Sequence, residues 1–182
     1  MNNGFKKSEF PLCKLVHSKE EVYQYATSKI KTAKNTIRHA ALAPSIHSNP
    51  ENSMYKHYEE AIIEKVKDDN LKYRYITIFD NNHDRIDRIC QIFSHGSSSF
   101  KSAYFKHFNR NLPLFSFILF DEDEIITYYP SYETVKDSFL FLSYSNVGIM
   151  YSNYFDLLWS NAEKIENHSK AKAIKDKLSN SL

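Results

Sequence analysis

Residues 112–130 read LPLFSFILFDEDEIITYYP, two apolar runs flanking four consecutive acids, Asp121 to Glu124. Short runs rich in Phe, Ile and Tyr predict strands over Leu114–Phe120 and Ile125–Tyr129. The acids between them predict an exposed hairpin turn rather than a metal cluster. Because the first run is apolar on both alternating faces, it belongs in the middle of a sheet.

Upstream, SKEEVYQYATSKIKTAKN from Ser18 carries an N-cap residue, first-turn acids Glu20 and Glu21, and apolar residues at helical spacing. TIRHAALA follows and stops at Pro44, which predicts a strand over Thr36–Ala43. A second helix is expected from Ser53 and a strand over LKYRYITIFD, turning continuously apolar as a buried parallel strand does. Ile86, Ile89, Cys90 and Phe93 predict a third helix.

Strands are then expected over Ala103–Phe108, Ser138–Leu142 and Val147–Tyr151. A helix from Ser152 follows, with Phe155, Leu158, Trp159, Ala162 and Ile165 on one face, continuing into a lysine-rich end. The fold class expected is α/β, a mixed sheet entered largely through parallel strands and sandwiched between helices, with a long helix toward the carboxyl end. The organisation expected is a lead-in over 1–17, one domain over 18–166 and a basic helical tail over 167–182.

The chain has 182 residues, enough for a core without disulfides or metals. Its 24 basic and 22 acidic residues leave +2, too little to imply nucleic acid or an anionic membrane by itself. Cys13 and Cys90 match neither a disulfide framework nor a zinc pattern, which points to a reducing, cytoplasmic setting. No stretch approaches the ~18 apolar residues that suggest a membrane span.

Three stretches, YATSKIKTAKNTIRHAALAP (25–44), YEEAIIEKVKDDNLKYRYITI (58–78) and YFDLLWSNAEKI (154–165), together resemble a single phospholipase D-like domain. Active members of that superfamily carry H-x-K with an Asp after four further residues. The histidine is the nucleophile and the lysine neutralises phosphate oxygens. With Asp121 at the acid position, the histidine position falls on Leu114 and the lysine position on Ser116; with Asp123, the pair becomes Ser116 and Ile118. The triplets His17-Ser18-Lys19 and His168-Ser169-Lys170 have Gln24 and Lys175 where the acid belongs.

The resemblance therefore implies a domain that keeps the fold and its tendency to form a homodimer but not the phosphodiesterase chemistry. Such domains resemble ligand-sensing parts of prokaryotic regulators and accessory domains of bacterial defence systems. The expected role is binding a small ligand or a protein partner. The alternatives are a nuclease using other residues, such as His83, His107 or Asp121, and a nucleic-acid-binding accessory protein.

Asp80-Asn81-Asn82-His83-Asp84 begins like a calcium loop, but Arg85 occupies the glycine position and Gln91 the bidentate glutamate position. No metal and no cofactor is expected. Loops at the carboxyl ends of parallel strands line the usual crevice of α/β sheets, so His47, Asp80, His83, Asp84 and Arg85 are the ligand-binding candidates. YFKHFNR (104–110) interleaves aromatic and basic residues as single-stranded nucleic-acid surfaces do, which makes Lys106 and Arg110 the nucleic-acid candidates.

Overall fold

The computed structural model describes residues 12–42, 53–79, 84–95, 98–106, 115–129 and 138–179. In chain order the elements are β1 (Leu12–Val16), α1 (Lys19–Thr32), β2 (Thr36–Ala41), α2 (Ser53–Lys65), β3 (Lys72–Ile78), α3 (Asp84–Ser94) and β4 (Phe100–Phe105). They continue with β5 (Ser116–Phe120), β6 (Glu124–Tyr129), β7 (Ser138–Ser143), α4 (Ser145–Asn161), β8 (Glu163–Ile165) and α5 (His168–Ser179).

The strands form one eight-stranded sheet in the order β1-β7-β6-β5-β2-β3-β4-β8. Crossovers through α2 and α3 make β2, β3 and β4 parallel. The β5–β6 hairpin and β7 run antiparallel, and β5 joins the two halves by pairing antiparallel with β2, Ile37 opposite Phe120 and Ala40 opposite Phe117. β5 is thus central, as its apolar run requires.

Alternation along the strands divides the core between the two sheet faces. Ile37, Tyr73, Tyr75, Phe100 and Phe120 pack with α1, α2, α3 and α5 on one face. Ala40, Ile76, Ala103, Phe117 and Leu119 pack with Phe155 and Leu158 of α4 on the other. α1 is capped as its sequence suggests, the Ser18 hydroxyl accepting from the Glu21 N–H at 3.3 Å.

Two sequence-based expectations are corrected. Val147–Tyr151 is not a strand but the start of α4: a strand would bury alternate residues, whereas Gly148, Ser152, Phe155 and Leu158 are buried at helical spacing and Ile149 and Met150 are 51% and 68% exposed. Ile165 does not share a helical face with Phe155. The helix ends at Asn161, the chain crosses the sheet edge as β8, and Ile165 packs on the opposite side of the sheet from Phe155. The lead-in supplies edge strand β1, and the basic tail forms a separate helix, α5, whose Ala171 is buried in the same core.

The acidic turn also does more than face solvent. The Asp121 carboxylate accepts from the backbone N–H groups of Lys34, Asn35 and Thr36 at 2.7, 2.8 and 2.9 Å. Glu122 pairs with Arg38 at 2.9 Å and Glu124 with Lys29 at 2.5 Å. Asp121 and Glu122 have positive φ, as the central residues of a type I′ hairpin turn do. Gly148 closes over this turn: a Cβ there would lie 1.7 Å from the Glu122 carbonyl oxygen.

Partial burial of Asp121 favours its neutral form, but the N–H groups of Thr36, Lys34 and Asn35 outweigh that, and its carboxyl is held below the usual range. A depressed carboxyl stabilises the fold above its unfolded pKa, and that contribution is lost as pH falls through the folded value. Replacing Asp121 by Ala is expected to cost about 2–4 kcal/mol at neutral pH, with the gap to wild type shrinking below about pH 4, in urea titrations across pH. Gly148→Ala is expected to lose about 3 kcal/mol despite alanine's better helix propensity, measurable in the same titration.

Candidate ligand-binding site

A cavity of about 170 Å³ lies between the sheet and the four-helix face, toward the carboxyl ends of β2 and β3. His39 of β2, Tyr75 of β3, Ser116 of β5 and Tyr128 of β6 form its floor. Its roof comes from the starts of three helices: Lys19 opens α1, Tyr55 lies in the first turn of α2, and Asp84 and Arg85 open α3. The parallel β-α units aim these helix starts at the same end of the sheet.

His39 is 8% exposed. Its Nδ1 lies 3.2 Å from the Tyr73 hydroxyl, its ring meets Tyr75 edge to face, and Nε2 has no hydrogen-bond partner among the described residues. Burial, reinforced by the Arg88 and Arg85 charges, lowers its pKa from 6.5 to about 3, so the imidazole is neutral at physiological pH.

The guanidinium of Arg88 donates through Nε and Nη2 to Glu59 Oε1, at 3.1 and 3.0 Å, and through Nη2 to the Tyr55 hydroxyl. It stacks over the Tyr55 and Tyr58 rings at 5.3 and 5.9 Å. Burial lowers its pKa to about 10, which leaves it charged at neutral pH. Burial, then the Asp84 charge, raises the Glu59 carboxyl above its ordinary value. Arg85 donates from Nη1 to the Ile78 carbonyl at 3.1 Å, which fixes its side chain across the end of β3.

The residues proposed from sequence separate into groups. Ser116, Asp84 and Arg85 meet in this cavity, and the Ser116 hydroxyl accepts from the Leu42 N–H at 2.9 Å. Asp121 stands at the other end of β5 and holds the turn. Lys106 lies away from the cavity and pairs at 2.8 Å with Glu163, which also accepts from the Tyr104 hydroxyl at 2.7 Å. His47, Asp80, His83, His107, Arg110 and Leu114 lie outside the described residues. Among the described residues no three His, Cys, Asp or Glu side chains cluster as a metal site, and no helix is long and apolar enough to cross a membrane.

His39, Arg88, Tyr55 and Tyr58 escaped the sequence reading. The available signal was an imidazole inside an apolar strand and two arginines three residues apart on a helix with an otherwise aliphatic inner face.

No protein-family model and no curated protein sequence matches the chain. Among solved structures, it superposes on Nuc, a phospholipase D family member from Salmonella typhimurium, with TM-score 0.64 and 12% identity over 87% of this chain and 100% of that one. NucT from Helicobacter pylori gives 0.61 and 11%, covering 86% and 99% of the two chains. The fold is phospholipase D-like. TrmBL2, an archaeal chromatin protein that binds DNA, gives 0.61 and 16% over 87% of this chain, which spans 56% of its length. Identities this low carry the phospholipase D-like fold and nothing finer.

The buried imidazole makes stability depend on pH. Because its folded pKa is depressed, the unfolded chain takes up a proton below about pH 6.5 that the folded chain refuses, and stability falls with pH in that window. Between pH 7.5 and 5.0 the His39 contribution is expected to cost about 2 kcal/mol, and His39→Gln should remove that slope in urea titrations at the two pH values.

Proposed function

We propose that this phospholipase D-like domain binds a small ligand in the cavity over β2, β3 and β5 and does not cleave phosphodiesters, serving as a sensing domain of a prokaryotic regulatory or defence system. The observation that carries this reading is Ser116. On the register that puts Asp121 at the acid position, it stands where the superfamily has its phosphate-neutralising lysine, and its hydroxyl is held by the Leu42 N–H at the edge of the cavity.

A serine there supplies no positive charge for a phosphoryl oxygen. Leu114, at the nucleophile position, has no group that could attack phosphorus. His39, the imidazole that does line the cavity, sits on a different strand with one nitrogen facing Tyr73. The cavity supplies enclosure, aromatic walls and a few fixed polar groups, the usual makeup of a small-molecule site. Asp84 and Arg85 are its proposed rim, with His39 and Arg88 deeper in.

Purified chain is expected to leave single- and double-stranded DNA, RNA and bis(4-nitrophenyl) phosphate intact, with and without added divalent cations. Turnover that tracks the protein through purification and vanishes on changing one cavity residue would falsify the binding-only reading.

A further inference from the structure

The size of the cavity and the chemistry of its wall narrow its ligand. A cavity of ~150 Å³ walled by apolar side chains accommodates one benzene ring, and this one, at about 170 Å³, has room for one ring and a small substituent. Rings from Tyr23, Tyr75, Tyr128 and Phe139 and aliphatic chains from Ile118 and Ile126 give the wall its apolar surface. A sugar carries hydroxyls on every side, and such a wall would leave most of them without partners.

The charged residues of the lining already have partners within the protein. Arg88 holds Glu59 through Nε and Nη2 and donates to Tyr55, Arg85 donates to the Ile78 carbonyl, and Lys19 and Asp84 are engaged as well. An ionic ligand would shed its hydration against groups that are already committed.

His39 differs from them. It is more than nine-tenths buried, and its Nδ1 lies 3.2 Å from the Tyr73 hydroxyl. Burial pushes the Tyr73 pKa up, so that hydroxyl keeps its proton, and Nδ1 is the acceptor it has among the described residues. The hydroxyl therefore donates to Nδ1, and the neutral imidazole carries its own proton on Nε2. Nε2 has no partner among the described residues and is the ring nitrogen left to face the cavity that His39 lines. A buried N–H donor without an acceptor is costly, and a ligand oxygen relieves that cost. A carbonyl oxygen does so without bringing a donor that the wall would leave unpaired.

We propose that the cavity binds an uncharged, single-ring carbonyl compound, its ring against the tyrosines and Phe139 and its carbonyl oxygen accepting from His39 Nε2–H. This rests on the binding reading above and names the ligand class for it.

The test is calorimetric titration of the unmodified full chain with acetophenone, ethylbenzene and benzoate. Acetophenone is expected to saturate with Kd below about 1 mM, at least tenfold tighter than ethylbenzene, which lacks the oxygen, and than benzoate, which carries a charge. Nitrogen NMR of the imidazole is expected to find His39 protonated on Nε2 in the free chain, with that signal moving on addition of acetophenone and not of ethylbenzene. His39→Phe is expected to weaken acetophenone at least tenfold and to leave ethylbenzene within about twofold. If that variant fails to fold, the ligand series and the nitrogen signals of the unmodified chain decide.

Ethylbenzene matching acetophenone would overturn the hydrogen bond and with it the carbonyl class. Benzoate binding as tightly would overturn the uncharged class, a proton on His39 Nδ1 would overturn the donor, and silence from acetophenone would overturn the inference outright. Mass spectrometry of the solvent extract of purified chain separates the two levels. An ionic molecule or a sugar, lost on changing His39, would overturn the ligand class while leaving binding in place; phosphodiester turnover would remove the binding reading itself.

Discussion

The Asp121 carboxylate closes the seam on which the sheet depends. Among the described residues, β2 and β5 are the strands that join the parallel half to the antiparallel half, and they run in opposite directions. At one end of that pairing, three backbone N–H groups leaving α1 for β2 would otherwise need water or another partner. One ionised carboxylate from the β5–β6 turn accepts all three. The turn is held in place from outside as well, by Arg38, Lys29 and the close approach of Gly148. The seam is therefore fixed by charge-assisted bonds to backbone, which hold position more narrowly than apolar packing does.

At the other end of the same pairing, β5 begins as β2 ends, and the cavity opens there. The geometry follows from connectivity. Two parallel crossovers start α2 and α3 at the carboxyl ends of β2 and β3, and α1 begins at the same side. The seam below and three helix starts above wall this space with elements that the fold itself positions. Preorganisation of this kind reduces the ordering cost of binding. It also explains why charged residues are tolerated so deep: Arg88 is covered by Tyr55 and Tyr58 and answered by Glu59, so its burial is compensated on the spot.

Much of the fold was legible because periodicity carries it. The helices at Lys19, Ser53 and Asp84 and the strands at Thr36, Lys72, Ser116 and Ser138 all announce themselves by spacing and by their flanking turns. Val147–Tyr151 misled because five residues of mixed polarity fit either period, and the residue that decides, Gly148, is chosen by a contact 26 positions away in sequence, with Glu122. Ile165 misled because helical spacing continued past the point where the chain changes sheet faces. In the site, Asp84 and Arg85 could be placed by topology alone, at the end of a parallel strand. His39 and Arg88 could not, because their surroundings come from β3, α2 and α3 at once, and such assembly leaves no local pattern.

The two ends of β5 also separate what a short motif joins. If Asp121 occupies the acid position of the superfamily motif, its observed bonds all go to backbone, and none goes to a group that could do chemistry. An acid in that place supports the fold whether or not a nucleophile stands seven residues before it. Its presence is therefore a statement about the seam, and the capacity for phosphoryl transfer has to be judged at the cavity end. There the strand offers Ser116, whose hydroxyl accepts from the Leu42 N–H, and the charged residues of the lining, Lys19, Asp84, Arg85 and Arg88, come from α1 and α3.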